Sequence, residues 1–368
     1  MSKVLLVATV QSHICQFHKP LMSLLHENGW EIHVAARDNL KEKNGLILEF
    51  ADEVFNIPFQ RSPFNLKNLN AYKELKKVIN KNHYDVIHCN TPVGGVLARI
   101  AAKEARKSGT KVYYTAHGFH FYKGAPLRNW LFYYPVERAL SRRTDKLITI
   151  TEEDYAFAGR HFSCPVYHIH GVGANSARYY PISNEEHELL KQQLGCTGKI
   201  ILNVGELLPN KNQKTAILAM KDVLKKEPDT MLLIAGNGPE RDHLEQLIFT
   251  EHLTKNVKLL GYTLDLPSYM QICDVMIACS YREGLPMNVV EAFLCGKAVV
   301  ASDNRGHREL IAGLENSYLV KPDDMVGFSE AICRILDKSC TYFEESAKKA
   351  KVYTDKSVQR ELTAIYEL

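Results

Sequence analysis

Val275-Met276-Ile277-Ala278, then Tyr281-Arg282-Glu283-Gly284-Leu285-Pro286-Met287-Asn288-Val289-Val290-Glu291, then Ala298-Val299-Val300-Ala301. The first run is apolar and too short for a helix, and the last repeats it. Between them lie a loop carrying a carboxylate and an apolar-rich helix that Pro286 can start. Strand, helix and strand in this order build a buried parallel sheet. Eight residues separate Glu283 from Glu291. At helical rise this is roughly 12 Å, with the two side chains within about 80° of each other around the axis. Two acids so placed can grip both ends of an elongated polar ligand. The backbone N–H groups of Met287, Asn288 and Val289 lie between them, and a helix start of this kind suits a phosphate or an array of sugar hydroxyls.

The same alternation runs through the whole chain. In the first half, strands are predicted at Lys3–Val10, Glu31–Ala35, Asp85–Cys89, Lys111–Thr115, Lys146–Ile150 and Val166–Ile169. In the second half they are predicted at Lys199–Val204, Met231–Ala235, Val257–Leu260, Asp274–Ala278, Ala298–Ala301 and Ser317–Val320. Helical patterns intervene, one of them ending at Gly29. The expected class is α/β with two open parallel sheets, each covered by helices on both faces. The turn-rich Gly171-Val172-Gly173-Ala174-Asn175, followed by Pro181, marks a boundary, and a new helix is predicted with Asn184 as its N-cap. The resulting division is residues 1–175, residues 176–352 and a terminal helix over 353–368 that packs back toward the first domain.

At 368 residues, 45% hydrophobic and 24% charged, the chain fits two globular domains. No apolar run reaches the ~18 residues that span a bilayer. The opening Met1–Val10 reads as a buried strand rather than a signal peptide, because polar residues follow its short apolar core at once. Nine scattered cysteines with no C-x-x-C pair support neither a disulfide framework nor a zinc site, and a cytoplasmic location is expected. Charge is uneven: residues 1–180 carry 24 Lys+Arg against 15 Asp+Glu, and residues 181–368 carry 22 against 27. A basic first half can face a membrane surface or a diphosphate, or reflect ordinary scatter. The basic residues form no aromatic-interleaved stripe, so nucleic acid is not an expected partner.

Polar and small residues recur where strands end. Gln11-Ser12-His13-Ile14 reads as a loop after the first strand, and Ala116-His117-Gly118 follows a later one. In the second half come Gly205-Glu206-Leu207 with Lys211, then Gly236-Asn237-Gly238-Pro239, and Arg282-Glu283-Gly284. Ligands of open α/β sheets bind at this rim. G-x-G-x-x-G is absent, so the glycines are no dinucleotide fingerprint; a tight strand-to-helix turn needs glycine in any case. His117, between a strand end and a glycine, reads as ligand-facing or as a satisfied core histidine, and His13 is a weaker case. The stretch Arg128–Tyr134 with Arg138, Arg142 and Arg143 reads either as a membrane contact or as a helix with its aromatics packed inward.

Taken together these pieces resemble the retaining glycosyltransferases of family 4 (group 1). The resemblance rests on Glu283-x7-Glu291 and its flanks through Ser302, on Gly261-Tyr262, Asp274-Val275 and Arg305-Gly306-His307-Arg308-Glu309-Leu310, and on Gly205 with Lys211 and Gly236-Asn237-Gly238. In the first half Phe119–Gly124 and Thr144–Ile148 are similar to the exopolysaccharide and capsule subgroup. The resemblance implies a GT-B fold, two Rossmann-like domains facing across a cleft, with a nucleotide-sugar donor, expected to be UDP-linked, and a lipid-linked saccharide acceptor. It implies that Glu283 contacts the donor sugar with the backbone of Leu285, Met287 and Asn288, and that Glu291 takes the ribose hydroxyls. Lys211 and Arg282 would neutralise the diphosphate, and His117 would line the sugar. Gly205, Gly236 and Gly238 would let the backbone approach the nucleotide. No metal or other cofactor is implied. Peripheral contact with the inner face of the cytoplasmic membrane fits such an acceptor. Many members carry Arg where Glu206 stands, and a carboxylate beside a diphosphate is costly unless it turns away or finds a cation.

Two other readings share the architecture. A UDP-sugar 2-epimerase would act on donor alone, and a non-catalytic nucleotide-sugar-binding subunit would bind without turnover.

Overall fold

The computed structural model describes residues 1–42, 46–338 and 342–368. Cys340, one of the nine cysteines, lies outside them. The chain divides into two compact units, Met1–Gly173 with Asp355–Leu368, and Ala174–Thr354.

The N-terminal unit holds a seven-stranded sheet in the order β3-β2-β1-β4-β5-β6-β7. Its strands are β1 Lys3–Val10, β2 Glu31–Arg37, β3 Glu53–Asn56, β4 Val86–Asn90, β5 Lys111–Ala116, β6 Lys146–Thr149 and β7 Val166–His168. The second unit holds a six-stranded sheet in the order β10-β9-β8-β11-β12-β13. These are β8 Ile200–Val204, β9 Met231–Ala235, β10 Val257–Gly261, β11 Val275–Ala278, β12 Ala298–Ser302 and β13 Tyr318–Val320. All pairings are parallel. Both orders reverse direction once, between β1 and β4 and between β8 and β11. Such a switch point opens a crevice beyond the strands' C-terminal ends.

The central strands are mostly apolar because helices cover both faces. Val4 to Ala8 and Ala298 to Ala301 are all fully buried. β3 was not expected from the sequence. It is a short edge strand, mostly exposed, with polar Glu53 and Asn56 at its ends, so it lacks the apolar run that marks its neighbours. The predicted loop Gln11–Ile14 is instead helical from its first residue, within Gln11–Phe17. The helix Asn184–Gln193 is capped not by Asn184 but by Ser183, whose side chain and Glu186 form a capping box. Gly29 follows the helix Lys19–Glu27 at φ +70°, where a side chain would be strained.

One device sets the register at strand starts. The aspartate preceding a strand accepts a hydrogen bond from a backbone N–H near the start of the adjacent strand. Asp52 takes that of Ile32, Asp85 that of Lys3, Asp145 that of Val112 and Asp274 that of Ile200, each at 2.7 Å. Ser317 does the same for Val299 at 3.1 Å. A parallel strand's first N–H has no ladder partner, and a carboxylate supplies one. The terminal helix Asp355–Tyr366 returns to the N-terminal unit. It buries Val358, Leu362, Ile365 and Tyr366 beside the helix Lys19–Glu27, and Glu361 pairs with His170 at 2.6 Å.

Asp274 is only 6% exposed. Asp274→Ala should lower unfolding free energy by about 1.5–3 kcal/mol, the cost of a lost charge-assisted hydrogen bond, in urea melts. The same change at exposed Asp85 should cost less.

Candidate active site

The second unit's switch point is the fork between β8 and β11, and the loops leaving those two strands hold Lys211 and Glu283. After β8 the chain runs through Gly205-Glu206-Leu207 into a short turn, Pro209–Lys211. After β11 it runs through Tyr281-Arg282-Glu283-Gly284 to the helix Met287–Leu294, which has Pro286 as its N-cap. The two loops are joined by backbone and side-chain bonds. The N–H of Tyr281 donates to the Asn210 carbonyl at 2.9 Å, and Asn210 Nδ2 to the Arg282 carbonyl at 3.0 Å. Lys211 Nζ then meets Glu283 Oε1 at 2.6 Å, with both side chains largely buried. Asn212, at the left-handed φ of +51°, and Tyr281 both bond Asp323 Oδ1, at 3.1 and 2.6 Å. Arg282 is exposed and makes no ion pair among the described residues. The rim therefore presents a Lys–Glu pair with one outward guanidinium beside it.

Glu283 lies four residues ahead of the first helical residue, so the helical ruler between Glu283 and Glu291 does not apply. The two acids sit in different surroundings. Glu291 receives the Tyr179 hydroxyl and faces the Arg178 guanidinium, which also donates to the Leu264 carbonyl at 2.9 Å. Burial nevertheless dominates and pushes the Glu291 carboxyl up to about 7.

The helix start is less open than its sequence implies. Val289 N–H donates to Asn288 Oδ1 at 3.0 Å and to the Pro286 carbonyl at 3.1 Å, which leaves Met287 and Asn288 as the amides of the first turn without intrahelical partners. Asn288 Nδ2 donates to the Val204 carbonyl at 2.8 Å, so this side chain ties the helix to the end of β8. Leu285 is buried beneath the loop.

The glycines have a packing reason. A Cβ on Gly236 would stand 1.9 Å from the Gly205 carbonyl oxygen, and one on Gly238 would stand 2.3 Å from that of Leu207. Both let the loop after β9 close on the loop after β8, as the bond from Leu207 N–H to the Asn237 carbonyl confirms at 2.9 Å. Gly205 is covered by the aliphatic stem of Lys211, 3.4 Å from where a Cβ would be. Glu206, the departure from the family pattern, is exposed, and its carbonyl accepts from Gln213 Nε2 at 3.0 Å.

Three further residues around these acids were given no site role from the sequence. Tyr179 and Arg178 fall in the stretch read as a boundary. His307 is fully buried, bonds the Ser302 carbonyl through Nδ1 at 2.7 Å, and leaves Nε2 without a partner among the described residues. It lies within electrostatic reach of Glu283 and Lys211. Gly306, just before it, leaves no room for a Cβ against the Gly284 carbonyl at 2.3 Å, so the helix Arg305–Ile311 braces the Glu283 loop from behind. His117 belongs to the other unit. It stands at the exit of β5 against the rings of His13 and His18, and burial draws its ring down to about 4, so that it is neutral near pH 7.

Comparisons with known proteins give the chain's family and fold. A family model described as "Glycosyl transferases group 1" matches residues 186–355, and one described as "Glycosyl transferase 4-like" matches residues 3–151. A Bacillus subtilis (strain 168) protein named EpsD, described as a glycosyltransferase, is 42% identical over 99% of this chain and 96% of its own. The chain belongs to the group 1 glycosyltransferases. An Escherichia coli protein named as a UDP-Gal:alpha-D-GlcNAc-diphosphoundecaprenol alpha-1,3-galactosyltransferase is 26% identical over 80% of this chain and 79% of its own. Among solved structures, sucrose-phosphate synthase from Thermosynechococcus elongatus matches with a TM-score of 0.79 at 19% identity, over 100% of this chain and 98% of that one. Anabaena HepE in complex with UDP-glucose matches at 0.76 and 22% identity, over the whole of both chains. The fold is GT-B, with two Rossmann-like parallel-sheet domains, and this glycosyltransferase carries its Glu283 loop and its Lys211 turn within the matched group 1 region.

The raised Glu291 carboxyl has a pH consequence. Between about 4.5 and 7 the folded chain keeps a proton that the unfolded chain has released, so this group's contribution to stability falls as pH rises through that window. Hydrogen bonds from ligand hydroxyls favour the ionised form. The difference in UDP affinity between wild type and Glu291→Gln should therefore grow from about pH 5.5 to about pH 8, measured by calorimetry. A difference that stays flat with pH would separate Glu291 from the ligand.

Proposed function

We propose that this glycosyltransferase transfers a sugar, with retention of anomeric configuration, from a UDP-linked donor to a hydroxyl of a lipid-linked saccharide in cell-surface polysaccharide assembly. The observation that carries the reading is the Lys211–Glu283 pair at the β8/β11 fork, with Arg282 and the first-turn amides of the helix Met287–Leu294 beside it. The donor's leaving diphosphate develops negative charge as the bond from the anomeric carbon breaks. Lys211 keeps two N–H donors beyond the one given to Glu283, and with Arg282 it would hold that charge electrostatically. Glu283 keeps its second oxygen for sugar hydroxyls, and Glu291 would accept from the ribose. The acceptor hydroxyl bonds to the anomeric carbon on the face the phosphate leaves, and its proton passes to the departing phosphate oxygen. No protein nucleophile is needed, and no metal at the diphosphate. The UDP complexes of HepE and the diphosphoundecaprenol acceptor named for the E. coli relative support the donor and acceptor classes.

Glu283→Ala and Lys211→Ala should each lower transfer at least ~100-fold, the scale of losing one preorganised charge contact, while circular dichroism stays native. Radiolabelled transfer to membrane extract measures this, and full activity from either folded variant would remove the site. Incubation with donor alone tests the epimerase reading, which predicts a new UDP-sugar without acceptor.

The surface of the N-terminal unit supports membrane contact for such an acceptor. The helix Leu127–Ser141 packs aromatic side chains inward, as one sequence reading expected, and leaves other apolar side chains in solvent, which the membrane-contact reading requires. Trp130, Tyr133 and Tyr134 pack against the core, while Leu127, Leu131, Phe132 and Val136 are exposed. Exposed Phe64 meets Phe132 edge-on at 6.1 Å, and Leu66 and Leu69, close to Phe64 in the chain, are exposed as well. Exposed Arg61, Lys67, Lys123, Arg128, Arg138 and Arg142 belong to the same segments. Apolar ridges flanked by Lys and Arg seat in the interface of anionic bilayers. Among the described residues no helix is long and apolar enough to cross a membrane. Replacing Leu131 and Phe132 together by Glu should weaken co-sedimentation with phosphatidylglycerol vesicles about 10-fold or more, the order expected for two buried apolar side chains. Unchanged binding would remove the patch from the account.

A further inference from the structure

The N-terminal unit has its own switch point, between β1 and β4, and three imidazoles gather there. His13 is on the helix Gln11–Phe17, His18 joins that helix to Lys19–Glu27, and His117 follows β5. Their ring centroids lie 4.6 to 5.5 Å apart. One nitrogen from each ring lies within 4.8 Å of the other two. The Nε2 atoms of His13 and His18 are buried without a hydrogen-bond partner among the described residues. His88, one layer below on β4, shows the contrast. It is buried just as deeply, yet Tyr366 takes its Nδ1 at 2.6 Å and Thr115 its Nε2 at 2.7 Å. A buried polar atom without a partner costs roughly 1–3 kcal/mol, and natural folds seldom leave two together.

Burial lowers the proton affinity of all three rings, so each offers a neutral lone pair near pH 7. Three neutral imidazoles without a carboxylate among them are a nitrogen-only donor set, which suits zinc, cobalt or nickel and not magnesium or calcium. We propose that His13, His18 and His117 bind one divalent transition-metal ion of the zinc class. In a tetrahedral site built on metal–nitrogen bonds of about 2.1 Å, ligand nitrogens stand roughly 3.4 Å apart, so small ring rotations close the gap. The fourth position is left for water or another oxygen. Such an ion ties the exit of β1 to that of β5 across β4. It shares no residue with the Lys211–Glu283 pair, so failure of either proposal leaves the other to be judged by its own test. His117 would then hold the ion rather than line the donor sugar, the place the family resemblance gives it.

The test uses full-length protein without a histidine tag, stripped by chelation and dialysed. Calorimetry with zinc chloride, and visible absorption with cobalt chloride, should show one ion per chain, with no uptake of magnesium. His18→Ala, and separately His13→Gln, should weaken zinc by more than the roughly 10- to 100-fold that losing a mere supporting residue costs. His161→Gln, at an exposed ring, should change nothing. Folded wild-type protein that takes up no zinc overturns the proposal, as does uptake indifferent to His13→Gln. If His18→Ala fails to fold, His13→Gln on its partly exposed helix carries the decision. Stabilisation by pyrophosphate instead of zinc, lost in the same variants, would make the cluster an anion site and also overturn the metal.

Discussion

A parallel sheet buried on both faces leaves its polar chemistry at the strand ends, and that constraint shapes both units of this chain. Backbone groups inside the sheet are spent on its ladder, and most side chains there are packed apolar, with exceptions such as His88 held by Tyr366 and Thr115. At the N-terminal ends of strands, aspartates close the orphaned N–H groups and fix register. At the C-terminal ends, loops diverge around the switch point, and charged side chains gather where two loops part. Lys211 and Glu283, 72 positions apart, meet for this reason.

On the proposed reading, the pair keeps a carboxylate and an ammonium ready for a ligand. Each is held by the other, braced by Gly306 behind the Glu283 loop and by Asn210 between the loops. Charges positioned before a ligand arrives need no reorganisation when charge develops on it. Glu206 is exposed on the preceding loop, and the Lys211–Glu283 bond forms without an arginine at that position.

The glycines illustrate how one sequence signal can have more than one physical origin. Gly236 and Gly238 read from the chain as room for a nucleotide. In the structure their missing Cβ atoms are what allow one loop to lie on another, with carbonyl oxygens where side chains would be. Asn288, expected beside a ligand, spends its side chain on Val204 and on the Val289 amide. These residues shape the site from beneath, and a substitution there would act through the loops they hold.

Most strands were legible in the chain because burial on both faces demands unbroken apolar runs such as Val4–Ala8 and Val275–Ala278. β3 was not, because an exposed edge strand needs no such run. The eight-residue spacing named Glu283 and Glu291, but it could not show that one pairs with Lys211 while the other is enclosed with Tyr179 and Arg178. Likewise His117 and His13 stand out one at a time at strand ends, but they and His18 are adjacent only once β1, β4 and β5 lie side by side. Local sequence dictates which elements form, since periodicity and turn chemistry act over a few residues. Which side chains share a site is decided by strand order, a long-range packing outcome that no local stretch contains.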